Sequence, residues 1–515
     1  MRSTTRGVLI FLLAVGVLRG LLYPIVTRSD NPGPDGYDYL RVAHDFLAEP
    51  FPWNRALDQS AWAPGWPAAM ALVFKASSDS MAAVRWFNVV LWIPTLWLTF
   101  FVVRRLFDAD LALLATTLVA WDNLTNFIKY ANYEVFLTFL VVATQACLLT
   151  SIERRFATWM AIAGLLSALA CLCQGKCVVP LVALALATAV VTARHSPVRS
   201  VLMGTFAFGL AFTLVVLPYS YRNYLHEGRL SFVASVGAPN LVIGNGPQAN
   251  GEWVWTPPVM FSCLDGVPES RKTAVALGWV FDRFLCDPGR FLFDLLPLKF
   301  HRFWGLDTVR HNLFLVLMVV GMGFSAASSD SRPRFLLWLP IGLFLAIHMA
   351  FYGFERYRYP ILPGIHAYVA LAIATFPGLF RSSRSVASCP LDAKPESRSV
   401  RSWFLMFGLL TLTIPVMLLA HRAMRPRVVY GFVSRETVGA KKELRANYWS
   451  TTDELCLVTF QVGGSRETPC ETTVRRVHCC HFAPVPELGV RAPVLFTVHS
   501  PDRSAVLYRW SQNLP

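Results

Sequence analysis

Apolar blocks of about twenty residues, separated by short polar breaks, recur from residue 8 to residue 420. They neither alternate, as half-buried strands do, nor repeat in heptads. A bilayer core takes roughly 20 apolar residues per helix, so each block predicts a membrane span. The pattern predicts spans at 8–26, 85–103, 110–128, 134–151, 157–175, 177–193, 200–218, 312–328, 334–352, 360–380 and 403–420. Segments 64–76 and 291–304 are shorter or interrupted and predict interfacial or re-entrant helices.

The pattern changes beyond residue 420. "ELCLVTFQV", "PVLFTVHS" and "SAVLYRW" are short β-branched and aromatic runs bounded by Gly, Pro and Ser, which predict strands. The expected fold is therefore an all-α polytopic membrane domain, residues 1–420 with about eleven spans, followed by a small β-rich domain over 421–515. Segment 381–402, rich in Ser, Arg and Pro, predicts a flexible cytoplasmic linker.

Composition agrees: 54% of the 515 residues are hydrophobic and only 15% charged, a membrane balance rather than a soluble one. The net charge of +15 would suit nucleic acid, but the cations fall in pairs between apolar blocks. With a cytoplasmic N-terminus bearing Arg2 and Arg6, the parity of the spans puts Arg104/Arg105, Arg154/Arg155, Arg194/Arg199, Arg332/Arg334 and the basic linker on one side. That is the positive-inside distribution, so no nucleic-acid partner is implied. The first block lacks a small-x-small cleavage site and predicts an uncleaved helix.

This orientation places loops 27–84 and 219–311, and the C-terminal domain, outside. Six of the eleven cysteines fall in these external parts, where disulfides are permitted.

Candidate chemistry gathers at the external ends of spans. In "NPGPDGYDYLRVAHDFLAEP" the Pro/Gly turn places Asp35 just before an amphipathic helix carrying Tyr39, Val42, Ala43, Phe46 and Leu47 on one face. Asp45 and Glu49 read as solvated charges on the other. In "AWAPGWPAAMALVF" the prolines predict a loop folded back onto the membrane. Glu134, in "KYANYEVFLTFL", stands where an external turn enters a span, and a carboxylate at that depth costs up to about 3 kcal/mol unless paired or hydrated.

Further on, "LPYSYRNYLHEG" supplies Arg222, and the Gly/Asn-rich "APNLVIGNGPQANG" supplies Asn245 and backbone amides suited to anions or sugar hydroxyls. In "FYGFERYRYPILPG", Arg356 and Arg358 sit outside, against the positive-inside tendency, and arginine binds phosphate bidentately.

The order of "PDGYDYLRVAHDFL", "PGWP", "NYEVF", "RN", "NLVIGN" and "ERYRYPILP" resembles the GT-C integral-membrane glycosyltransferases over roughly residues 8–380. The resemblance is closest to the polyprenyl-phosphate-sugar-dependent group of protein O-mannosyltransferases and aminoarabinose transferases. It implies that Asp35 is the catalytic acid of the first external loop, followed by Tyr39, that Glu134 is the second-loop acid, and that Arg356 meets the lipid phosphate. Gly36 stands where many relatives have a second acid, a departure from the family pattern.

The expected activity is transfer of a sugar, with inversion, from a polyprenyl-phosphate donor to a lipid, protein or glycan acceptor outside a bacterial cytoplasmic membrane. Asp35 and Glu134 are its catalytic candidates, and Tyr39, Arg222, Asn245, Arg356 and Arg358 its substrate-binding candidates. No Asp-x-Asp motif is present in the first loop, so no metal ligand is assigned and a divalent cation stays open as cofactor. The alternatives are a transporter or flippase of lipid-linked sugars and an inactive membrane scaffold.

Overall fold

The computed structural model describes residues 3–26, 32–33, 35–48, 62–77, 80–227, 237–246, 249–251, 264, 267–327 and 332–381, and the strands between 429 and 513. Two compact units result, Met1–Thr411 and Leu412–Pro515.

The first unit is helical. Its elements are α1 (Ser3–Val26), α2 (Gly36–Ala48), α3 (Gly65–Ala76), α4 (Met81–Leu106), α5 (Ala109–Ala120), α6 (Glu134–Glu153), α7 (Phe156–Cys173), α8 (Val178–Ala193), α9 (Val198–Glu227), α10 (Gly237–Asn245), α11 (Glu269–Cys286), α12 (Leu296–Trp304), α13 (Val309–Ala327), α14 (Phe335–Ala350) and α15 (Leu362–Arg381). The 3₁₀ turns Asn123–Lys129, Gly175–Cys177 and Glu355–Ile361 lie between them.

Among the described residues, seven helices are long and apolar enough to cross a membrane, or eight if α5 and the turn Asn123–Lys129 form one span. That pair is bent by 48°, whereas the sequence predicts a continuous span at 110–128. The break has a local cause: Asp122 accepts from Leu124 N–H and starts the 3₁₀ turn instead of continuing α5. Helix α14 covers the predicted span 334–352 with 16 residues, and α15 covers 360–380 with 20. The predicted span 403–420, nearly all of the linker and Glu49 lie outside the described residues.

Helix α6 is the axis of the unit, with 78% of its apolar window buried against 22% for α1 and α9. Buried hydroxyls on these helices turn inward: Thr95, Thr138, Thr144 and Thr188 each donate to the carbonyl four residues back. In an apolar medium this is the local way to satisfy them. Where α7 crosses α9, a Cβ on Gly164 would stand 2.3 Å from the Phe208 carbonyl oxygen, so only glycine permits that approach.

Two of the segments read as surface helices, α2 and α3, pack together with His44 stacked on Phe74, centroids 5.6 Å apart. Amphipathicity explains the choice of face in α2: Tyr39, Val42 and Ala43 are buried while Arg41 is exposed.

Among the described residues, the second unit contains seven strands: β1 (Val429–Val438), β2 (Lys441–Ser450), β3 (Leu455–Val462), β4 (Thr468–Thr473), β5 (His478–Pro484), β6 (Pro493–His499) and β7 (Val506–Asn513). They form two antiparallel sheets with strand orders β1-β2-β5 and β4-β3-β6-β7.

Candidate active site

Backbone contacts bring the first loop to the second. Ala131 N–H donates to the Pro32 carbonyl at 2.8 Å, and Trp66 Nε1 donates to the Ala131 carbonyl at 2.7 Å. Gly33 makes the approach feasible, because its φ of +92° suits glycine and a Cβ there would meet the Tyr130 ring at 3.0 Å. Asp35 is thereby held beside the turn that starts α6, whose first residue is Glu134. The third contribution is the 3₁₀ turn Glu355–Ile361, anchored to the second loop by Tyr359 packing edge-on to Phe127 at 4.9 Å.

The three charges meet there. Arg356 lies 2.6 Å from Asp35 Oδ2 and 3.5 Å from Glu134 Oε1. The Glu134 side chain is 1% exposed, that of Arg356 14% and that of Asp35 21%. Asp35 is therefore the carboxylate nearest to an entering molecule. Burial opposes the charge on Arg356, but Tyr357, Glu134, Tyr133 and Asp35 outweigh it and keep the guanidinium protonated.

These ion pairs are close without being aligned as hydrogen bonds. Both Glu134 oxygens, Arg356 Nε and Nη1, and both amide atoms of the fully buried Asn132 lack an aligned partner. Buried polar atoms are rarely left so, and their clustering singles this corner out as the candidate site.

Tyr39 completes this corner, its ring edge-on to Trp62 at 5.2 Å and to Tyr133 at 5.8 Å. Burial first, then the charge of Asp35, pushes the Tyr39 hydroxyl well above its ordinary value, so it serves as an O–H donor.

The remaining candidates stand elsewhere. Arg358 faces away from Asp35 and Glu134: it pairs with Glu355 at 3.0 Å, bonds His311 Nε2 at 2.7 Å and donates to the Trp304 carbonyl. Asn123 donates to the same Glu355 at 3.2 Å, so this network fastens the turn that carries Arg356. Asn245 donates to the Leu241 and Ala350 carbonyls and accepts from Lys299 Nζ at 2.7 Å. The stretch read as a Gly/Asn-rich loop is, over Gly237–Asn245, helix α10, with Gly244 pressed onto the Phe351 backbone. Arg222 is buried at the end of α9, stacked over Tyr219 at 5.6 Å. Tyr219 in turn donates to the Trp62 carbonyl at 3.5 Å, beside Tyr39.

Sequence reading passed over Lys176. It belongs to the turn Gly175–Cys177 opening α8, its ammonium 4.8, 4.9 and 4.7 Å from the ring centroids of Phe351, Tyr352 and Tyr357. A lone lysine in a predicted external hairpin was the signal, by the same test that singled out Arg356. Asn132 and Tyr133, two neighbours of Glu134 in sequence, were passed over as well. Among the described residues no group of three or more His, Cys, Asp or Glu side chains is placed to hold a metal ion.

Residues 61–221, which include α3, Glu134 and Lys176, match the family model described as dolichyl-phosphate-mannose-protein mannosyltransferase. The resemblance drawn from the motifs is met by this match. Asp35 and Arg356 lie outside the matched segment. No curated protein matches the chain in sequence.

Among solved structures, the chain is similar to the oligosaccharyltransferase AglB of Archaeoglobus fulgidus, in complex with an inhibitory peptide and a dolichol-phosphate. The identity is 15% and the TM-score 0.45, over 82% of this chain and 56% of that one. It is also similar to ArnT of Cupriavidus metallidurans bound to undecaprenyl phosphate, at 14% identity and TM-score 0.46, over 82% of this chain and 73% of that one. The chain thus spans little more than half the length of the archaeal protein.

Proposed function

We propose that this protein is an integral-membrane glycosyltransferase that moves a sugar from a polyprenyl-phosphate donor to an acceptor hydroxyl at the external face of the membrane. The observation carrying this reading is the convergence of Asp35, Glu134 and Arg356 in a corner whose buried polar atoms lack aligned partners. The family match over 61–221 supports the reaction class.

The donor already carries its leaving group, so no protein nucleophile is needed. The acceptor oxygen attacks the anomeric carbon as the bond from that carbon to the phosphate oxygen breaks, and the configuration inverts. Asp35, the most accessible of the three, takes the proton from the acceptor hydroxyl. Arg356 fixes the two carboxylates relative to each other, and Glu134 orients the guanidinium from the buried side. The Tyr39 hydroxyl donates to the sugar or the leaving group.

We read the site as outward-facing in a bacterial cytoplasmic membrane, a sidedness that the basic pairs at the opposite end of the helices support. Its partners on this reading are the donor lipid and a lipid, protein or glycan acceptor.

The test is reconstitution of the full chain in nanodiscs with a panel of polyprenyl-phosphate sugars. Mass spectrometry should find a glycosidic product, and its anomeric configuration by NMR should be opposite to that of the donor. Movement of donor lipid across vesicles with no glycosidic product would replace the transferase by a flippase. A retained anomer would overturn single displacement.

A further inference from the structure

Arg356 is the residue to which the family resemblance assigns the lipid phosphate, yet its charge is already engaged by two carboxylates, Asp35 at 2.6 Å and Glu134 at 3.5 Å. A phosphate monoester placed against it would compete with both. The neighbouring cation is differently situated. Lys176 Nζ and Arg356 Cζ lie over the same ring, 4.7 and 5.5 Å from the Tyr357 centroid. Among the described residues, the partners of Lys176 are three aromatic rings and not a carboxylate.

The turn carrying Lys176 is tied to the site directly, because Gln174 Nε2 donates to the Tyr133 hydroxyl at 3.3 Å and Tyr133 precedes Glu134. Behind it stands a second buried lysine. Lys299 donates to Asn245 Oδ1 at 2.7 Å and to the Met349 carbonyl at 2.9 Å, both neutral acceptors. Burial, then the charge of Lys176, draws Lys299 down to about 7. The described residues give neither lysine an acidic partner.

A half-buried cation resting on ring faces is poorly compensated, and an anion of matching depth relieves it. Phosphate, with several oxygens available to an ammonium, is the chemistry that suits it.

We infer that Lys176 is the residue that receives the phosphate monoester of the donor, with Arg356 instead bridging the two carboxylates. This rests on the proposed transferase reading and names the group that would hold its leaving phosphate.

The experiment measures binding of undecaprenyl phosphate, undecaprenol and inorganic phosphate to the full chain in nanodiscs, for wild type, Lys176→Met and Lys176→Arg. Lys176→Gln takes the place of Lys176→Met should the latter fail to fold. Lys176→Met is expected to weaken undecaprenyl phosphate by about tenfold or more while leaving undecaprenol unchanged, and Lys176→Arg to stay within about threefold of wild type. Competition by inorganic phosphate at the concentration of the lipid would assign the site to free phosphate and overturn the lipid assignment. Undecaprenyl phosphate binding by Lys176→Met equal to wild type would overturn the inference outright.

The two readings fail separately. A wild-type protein that binds undecaprenyl phosphate through Lys176 but transfers no sugar sinks the transferase and leaves the site. Transfer by Lys176→Met with unchanged KM for the donor sinks the site and leaves the transferase.

Discussion

The two ends of the helical unit use the same residue types in opposite ways. At one end Arg6 pairs with Asp110 at 2.6 Å, Arg105 pairs with Glu153 at 2.6 Å, and Arg332 and Arg334 donate to the carbonyls of Phe107 and Leu106. These side chains reach solvent, with Arg105 40% and Glu153 33% exposed, and each has an aligned partner. At the other end Asp35, Glu134, Arg356 and Lys176 are buried or half-buried, and both Glu134 oxygens with Arg356 Nε and Nη1 lack an aligned partner. The first arrangement fastens helix ends and is worth little energetically. The second holds charge in a poorly solvating corner, where an ionic group is costly unless its bonds are completed.

The sharpest way to break this contrast is to remove the bridge. Arg356→Met leaves Asp35 and Glu134 as uncompensated carboxylates and should lower stability by about 3 kcal/mol and transfer by at least about 100-fold. Denaturation in detergent and a turnover assay read the two effects, and a stable variant with unchanged turnover would make the site end no different from the other. Glu134→Gln keeps the shape and removes one charge. Its transfer should fall about 100-fold with the fold intact, seen as lowered kcat at an unchanged melting temperature.

Gly33→Ala tests the approach of the two loops rather than the chemistry. The φ of +92° and the Tyr130 ring should together cost about 1–3 kcal/mol, with a loss of activity through misplacement of Asp35. At the opposite end, the double substitution Arg105→Ala with Glu153→Ala should change stability by less than about 1 kcal/mol and leave kcat alone. A loss there as large as that of Arg356→Met would erase the distinction between the ends.

Most of this contrast is legible in the chain because both halves follow from sidedness. Apolar block length locates α1, α4, α6, α7, α8 and α13 to within a few residues, and the start of α9, which runs nine residues past its predicted end at 218. Parity then sends Asp35, Glu134 and Arg356 to one end and the arginine pairs to the other.

What escaped depends on contacts distant in sequence. Arg358 and Arg356 are two residues apart and look equivalent, but a 3₁₀ turn points them to different networks, and the partner of Arg358 at His311 is set by packing. Asn245 resembled a ligand residue because its true acceptor role toward Lys299 lies 54 positions away. Lys176 escaped because it falls in the single-residue gap between two predicted spans. The rings that surround it come from residues 351–357.

Asp35 is the group proposed to accept the proton of the acceptor. The most direct measurement is the turnover of purified Asp35→Asn protein in nanodiscs with a polyprenyl-phosphate sugar that the wild type uses. Asparagine keeps the size and removes the basicity, so transfer should fall by at least about 100-fold while binding of undecaprenyl phosphate is unchanged. Turnover at the wild-type rate would contradict it.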